Sequence, residues 1–295
     1  LSLLIPETIN FETYYTRRKT MKKMKKLLAL VMALAMALAL CACGGDSAAE
    51  DVELTVFAAA SMEETLTEIG DMYMAENEGV TVVFNFDSSG TLKTQIQEGA
   101  VCDVFISAGQ TQMDQLDITA DASVNTEGLD FVLEGSRFDL LENKVALVVP
   151  EGNPAGIESF EDMRDGLESG TIMLAMGNSD VPVGQYTQKI FDYYGLDEAA
   201  LAESGCITYG TNVKEVATQV AEATVDCGVI YATDAFSENL TVVDTATAEI
   251  CGQVIYPAAV LNISEHPEQA QDFLDFVVSD AGREVLDSVG FTPLG

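Results

Sequence analysis

From Glu53 onward, short runs rich in valine, isoleucine and phenylalanine take turns with segments whose apolar residues recur every three or four positions. "ELTVFAAA" leads into a helical stretch from Ser61 to about Glu76, "VTVVFNF" into one near Thr91 to Glu98, and "CDVFISA" closes this first set. In the first helix Met62, Leu66, Ile69, Met72 and Tyr73 form one stripe, the mark of a helix that buries a single face. Such alternation predicts an α/β chain, a sheet with helices laid on its faces. A second set runs from "NKVALVVP" through "TIMLAMG", a helix from about Gln185 to Tyr194, "CITYG", a helix from about Asn212 to Glu222, and "CGVIYA". "QVIYPAAVL" then opens a closing segment with helices near Pro267 to Ser279 and Ala281 to Ser288. This order describes a chain that leaves one lobe near Leu140 to Asn143, builds another, and returns near Gly252 to Tyr256. Two crossings make a hinge with a cleft between the lobes. Lobe I is assigned residues 52–141 and 255–295, and lobe II residues 142–254.

Four of the expected helix starts share a character. Ser61 opens an S-x-x-E capping box with Glu64. "FDSSGTLKTQI" sets Ser88 and Ser89 at the next start, with Gly90 relieving the backbone. Pro182 in "NSDVPVGQYTQKI" stands where its missing N–H does no harm, and Asn212 in "YGTNVKEVATQV" takes an N-cap, leaving the Val213 amide free. Each follows a strand, and in parallel α/β sheets the helix starts gather beyond the carboxyl ends of the strands, where ligands bind. Unpaired N–H groups and the positive end of the helix dipole make each start an anion site. No lysine or arginine lies in the four loops before their helices begin. Taken singly, Ser61 and Ser89 read as ordinary N-caps, Pro182 as a helix opener and Tyr231 in "GVIYATDA" as a core aromatic.

The first 45 residues belong to a different argument. Seven basic residues between Arg17 and Lys26 precede an apolar run from Leu27 to Leu40 that ends in "LCACGG". The run is shorter than the roughly 20 residues of a spanning helix and is expected to be an export signal. Residues 1–20 precede a natural-looking start at Met21. The ending resembles a lipobox, which implies cleavage before Cys43, lipid on that cysteine, and Cys41 as the alternative. Residues 44–51 would then be a tether. Beyond this signal the chain carries 46 acids against seven bases, a net of −39. So acidic a surface excludes nucleic acid and anionic headgroups as partners. Cys102, Cys206, Cys227 and Cys251 form no C-x-x-C pair and His266 is the single histidine, so no zinc site is expected and the cysteines are expected to be buried thiols.

Several blocks resemble the molybdate-binding proteins of ABC importers: "TVFAAASMEETLTEI", "FNFDSSGTLKTQIQEGAVCDVFISAG", "VPVGQY", "TNVKEVATQVAEATVDCGVIYATDA" and "IYPAAVL". The resemblance covers nearly all of residues 52–292. It implies a type II periplasmic-binding-protein fold, two α/β lobes closing over a tetrahedral oxyanion. By the same resemblance the ligand contacts fall on Ser61 and Ser89 through hydroxyl and amide, on Val183 and Val213 through amides, and on the Tyr231 hydroxyl. It further implies a monomeric, lipid-anchored receptor for molybdate or tungstate that docks on a permease with its ATPase, uses no cofactor or direct metal ligand, and catalyses nothing. The chain departs from the family in Val183, where alanine is common, in Gly90, where a third serine is frequent, and in the acids Asp87 and Asp180 beside the pocket loops. Three rivals remain at this point: a receptor for another oxyanion such as sulfate, a hydrolase using Ser61, and an acidic lipoprotein binding calcium or a partner. The hydrolase lacks G-x-S-x-G and a neighbouring base, and the calcium binder lacks a D-x-D-x-D-G loop.

Overall fold

A computed structural model describes residues 51–294; the expected signal, Cys43 and Cys41, and the tether up to Glu50 lie outside the described residues. β1 (Val52–Ala59) runs through a 3-10 turn (Ala60–Met62) into α1 (Glu63–Glu76), β2 (Val80–Asp87) into α2 (Ser89–Gln97), and β3 (Val104–Ile106) into the short α3 (Gln110–Asp114). After β4 (Phe138–Asn143) come β5 (Val145–Val149), α4 (Phe160–Ser169), β6 (Leu174–Gly177), α5 (Pro182–Tyr194) and α6 (Glu198–Glu203). Next are β7 (Ile207–Gly210), α7 (Val213–Ala221), β8 (Cys227–Tyr231), α8 (Ala232–Ser237), β9 (Thr241–Thr245) and α9 (Ala248–Cys251). β10 (Val254–Val260), α10 (Pro267–Val277), α11 (Asp280–Ser288) and β11 (Thr292–Pro293) complete the chain.

Two sheets result, in the orders β11-β4-β10-β3-β1-β2 and β7-β6-β8-β5-β9. Alternation along the strands explains why both faces of the first sheet are covered. Leu54, Val56 and Ala58 join the core of α1 and α10, with Leu66, Ile69, Tyr73 and Phe273. Phe57, one residue out of phase, turns to the other face and meets Leu92 and Ile96 of α2 and Phe105 of β3. The sheets are mixed, not purely parallel. β1 pairs parallel with β2 and β3, and β6 parallel with β7 and β8, whereas β10 and β5 pair antiparallel with their neighbours. The antiparallel strands include β4, β5 and β10, which stand next to the points where the chain passes between sheets. The parallel strands still send their carboxyl ends, and the helix starts after them, toward one region.

The two sheet units meet closely at that region. A Cβ on Gly90 of α2 would overlap the Asp180 carbonyl from the loop before α5, and one on Gly109 would lie 3.3 Å from Cβ of Pro182. The hydroxyl of Tyr231 on β8 donates to the Ala108 carbonyl after β3, at 3.3 Å. Among the described residues no helix is long and apolar enough to cross a membrane. Among the described residues Cys102, Cys206, Cys227 and Cys251 are buried and free. His266 precedes α10, half-buried, with no side-chain cap bond.

Two predictions follow from this packing. Ordinarily alanine in place of glycine within a helix stabilises it by about 1 kcal/mol. In Gly90→Ala that gain is set against the Asp180 carbonyl only when the units are closed. The variant should melt no lower than the native chain yet show a larger radius of gyration in small-angle scattering; equal radii would refute the steric reading. Asp234 of α8 is buried, and its Oδ2 has no hydrogen-bond partner. Burial pushes its pKa up to about 8, with Lys214 opposing and Glu64 and Glu238 adding to the rise. A carboxyl raised in the fold contributes its full stability only below its unfolded value, about 4, and loses it as pH climbs through the folded value. Melting temperature should therefore decline between about pH 4 and about pH 8 through this group, and Asp234→Asn should flatten the decline. An identical slope in both proteins would show that another group carries it.

Candidate functional site

Where the helix starts converge, a narrow cavity of about 10 Å3 is lined by Ala59, Ala60, Ser61, Asp87, Ser88, Ser89, Ala108, Val181, Pro182, Val183, Val213 and Tyr231. All five residues singled out in the sequence, Ser61, Ser89, Val183, Val213 and Tyr231, line it. They arrive on five separate segments: the turn after β1, the first residue of α2, the first turn of α5, the first residue of α7 and the end of β8. Among the described residues the backbone N–H groups of Ser61, Ser89, Val183 and Val213 have no acceptor in the protein, as helix geometry requires of first-turn amides. The space is close to that of one water molecule and far below the range of drug-sized pockets.

Local sequence explains most of the scaffold. The side chain of Asn212 accepts from Glu215 N and so caps α7, with Val213 next in line. Pro182 opens α5, and the absent side chain of Gly184 lets that turn sit on the carbonyls of Gly177 and Asn178. Ser88, not Ser89, caps α2 by accepting from Thr91 N at 3.2 Å. Ser89 is fully buried, and its Oγ accepts from Ala108 N at 2.9 Å. That bond occupies a lone pair and leaves the hydroxyl proton to be donated elsewhere. The small side chains of Ala59, Ala60 and Ala108 keep the walls close to the backbone.

Ser61 departs from expectation. The S-x-x-E capping box does not form: Ala60–Met62 makes a 3-10 turn, Met62 takes the N-cap of α1, and no side chain caps it. The Ser61 hydroxyl instead shares a hydrogen bond with the Tyr256 hydroxyl at 2.9 Å, and Glu64 turns outward to Lys214. A partner 195 positions away outcompeted the local one.

The electrostatics of the cavity are those of neutral dipoles. No lysine or arginine lines it. Asp87 does, but its Oδ1 accepts from Ser88 N at 2.7 Å, which takes up part of its charge locally. Burial keeps the Tyr231 phenol far above its ordinary pKa, so it stays a donor. Its bond to Ala108 is long at 3.3 Å and therefore easily exchanged. The nearest cation in sequence is Lys214, beside Val213. It reaches from α7 across to α1, bonding Glu64 and lying 3.3 Å from Glu63. Burial alone would lower its pKa, but the two glutamates outweigh that and hold it above the ordinary lysine value. It is a clasp between the sheet units, not a countercharge inside the cavity. Sequence reading missed Lys214 and the contact of Tyr256 with Ser61; the only local signal was the position of Lys214 immediately after Val213.

Size does not select this site. A groove of about 820 Å3 lies elsewhere on the first sheet unit, lined by Asp117, Asp130, Glu134, Asp139 and Arg137 among others. Its Arg137 is already tied to Asp114 and Asp117, at 2.6 and 2.8 Å. The smaller cavity is the one with converging unpaired donors. No group of three or more His, Cys, Asp or Glu among the described residues could hold a metal ion.

Comparison with known proteins agrees with this geometry. The chain is 35% identical over 262 residues to the molybdate-binding protein ModA of Mycobacterium tuberculosis (strain ATCC 25618 / H37Rv), covering 85% of this chain and 92% of that protein. It is 31% identical over 242 residues to a proposed ABC transporter substrate-binding lipoprotein of Bacillus subtilis (strain 168), YvgL, covering 82% and 86%. Among solved structures, the periplasmic molybdate-binding protein of Azotobacter vinelandii superposes with a TM-score of 0.67 at 20% identity, covering 82% of this chain and all of that one, which supports the periplasmic-binding-protein fold. The model of the bacterial extracellular solute-binding proteins matches residues 54–292. With its two sheet-and-helix units and a donor-lined cavity between them, the chain belongs to that family, whose members bind solutes and are not enzymes.

Proposed function

We propose that this protein captures molybdate or tungstate outside the cytoplasmic membrane, held there by lipid on Cys43, and delivers it as a monomer to an ABC permease driven by its ATPase. The observation that carries the reading is the convergence of Ser61, Ser89, Val183, Val213 and Tyr231 on one cavity without a basic residue. The similarity to ModA and to a lipoprotein relative supports the ligand and the anchor. Residues 52–141 and 255–295 would act as one lobe and 142–254 as the other.

Four amides and three hydroxyls are available as donors. Charge-assisted hydrogen bonds contribute about 1.5–3 kcal/mol each. Much of that total is offset by lost freedom and by desolvation, leaving roughly 8–12 kcal/mol, or micromolar to nanomolar affinity. Helix ends that close on the ligand at a fixed spacing would favour the larger molybdate and tungstate over sulfate. A shell made of donors disfavours a protonated phosphate, whose O–H meets few acceptors. Asp87 is a lining acid whose charge opposes an anion, and its bond from Ser88 N moderates that opposition.

Calorimetric titration of the chain from Gly44 onward with molybdate, tungstate, sulfate and phosphate tests this reading. Tight binding of the first two and weak binding of the others is expected; a sulfate preference would reassign the ligand. Ser89→Ala removes a buried donor to the ligand and also strands Ala108 N, so affinity should fall about tenfold or more. Native affinity in that variant would take Ser89 out of the site. The net charge of the exported chain repels an approaching anion, so the association rate constant should rise with ionic strength. A rate that falls with salt would point to a local positive field that the site as described does not have.

A further inference from the structure

Behind Ser61 lies a closed chain of buried polar groups that the binding reading does not use. Asn143 stands at the end of β4, where the chain passes into the second sheet unit. Its Oδ1 accepts from Lys144 N at 2.8 Å, which fixes the orientation of the amide. Nδ2 therefore donates twice, to Thr233 Oγ1 at 2.9 Å and to the Tyr256 hydroxyl at 3.2 Å. Tyr256 is fully buried, and its other hydrogen-bond partner among the described residues is Ser61 Oγ, at 2.9 Å.

The protons can be counted. The Tyr256 oxygen already accepts from Asn143. If Ser61 also donated to it, the Tyr256 O–H would be buried without an acceptor, since among the described residues its hydrogen-bond partners are Ser61 Oγ and the Asn143 amide donor alone. Such a stranded donor is strongly disfavoured. The arrangement with every buried proton satisfied has Tyr256 donating to Ser61. The Ser61 hydroxyl then has no acceptor in the protein for its own proton, and it lines the cavity.

We propose that Tyr256, held by Asn143, is a positioning residue that commits the Ser61 hydroxyl to donate into the cavity, and that this commitment is part of how the site rejects protonated oxyanions. The proposal rests on the oxyanion reading above. A serine locked as donor, with one lone pair occupied from behind, serves a fully ionised oxygen and offers little to an O–H. Free of Tyr256, the same hydroxyl could rotate and accept.

The test is a double-mutant cycle read by calorimetry with molybdate and phosphate. Tyr256→Phe keeps the ring, which packs edge-on against Tyr231 and Phe291 at 5.6 and 5.7 Å between centroids. It should weaken molybdate about tenfold and weaken phosphate less, narrowing the preference. In a Ser61→Ala background it should change molybdate affinity less than twofold. Asn143→Ala, which removes the donor that sets the direction of the chain, should act the same way and also fall silent without Ser61; it serves where Tyr256→Phe folds poorly, as judged by melting. Native binding in both single variants overturns the proposal. So do equal losses with and without Ser61, which would mark a purely structural role, or an unchanged ratio of molybdate to phosphate affinity. No heat from the native chain with any of the four oxyanions overturns the oxyanion reading itself, and this inference with it.

Discussion

On the proposed reading, a dianion taken out of water must exchange its hydration shell for fixed donors, and the donors lining this cavity are neutral. That constraint governs the rest of the design. Backbone amides are free to bind a ligand only where no carbonyl of the same helix precedes them, which means in first turns. To bring several first turns to one point, a fold needs parallel strands that end together. Each sheet supplies such a set, β1 with β2 and β3, and β6 with β7 and β8. The requirement extends to side-chain volume: Ala59, Ala60 and Ala108 are small where the wall must be backbone, and Gly90 is bare where the opposing Asp180 carbonyl must pass.

Charge is handled by keeping it at arm's length. The seven bases beyond residue 43 are too few to neutralise the acids there, and two of them are engaged with carboxylates. Lys214 is held by Glu63 and Glu64, and Arg137 by Asp114 and Asp117. A free lysine in the cavity would bind any anion by charge alone, whereas directed dipoles reward geometry. The lining acid and a buried one are managed individually. Asp87 receives an amide from Ser88, and buried Asp234 is held toward its neutral form by desolvation. Lys214 gains an additional role from its location, since a pair joining α7 to α1 exists only while the two units are together.

What the sequence disclosed follows from how far each interaction reaches. Pro182 at the start of α5 and Asn212 capping α7 act within one turn, and both were legible from neighbouring residues. The alternation of periods two and three to four disclosed the α/β class, because burial on a strand or helix face is also local. Ser61 misled for the opposite reason. S-x-x-E is a local rule, but the hydroxyl was claimed by Tyr256 on the return strand, and Glu64 by a lysine 150 positions on. The antiparallel members of each sheet were likewise hidden, since strand direction depends on which connection crosses between units. Residue identity placed Ser61 in the cavity through resemblance, but nothing along the chain announced what stands behind it.

On the proposed reading, in which two lobes close over the ligand, the chain behind Ser61 is placed to respond to that motion. Thr233 belongs to α8 of the second unit, Asn143 to the strand that leads into it, and Tyr256 to the strand that leads back. The hydrogen bonds that orient a ligand-facing hydroxyl are thus made at the crossings themselves, where a hinge rotation concentrates its dihedral changes. Any rotation that separates Thr233 from Asn143, or Asn143 from Tyr256, frees Tyr256 to turn its proton away from Ser61. The donor at the cavity wall would then lose its fixed direction as the units part. Ligand grip and interlobe geometry become coupled through a few buried groups, with no need for the ligand to touch the hinge. Coupling of this kind requires only that the two arrangements differ in their affinity for the oxyanion. A hydroxyl that is a committed donor in one and a free rotor in the other supplies such a difference.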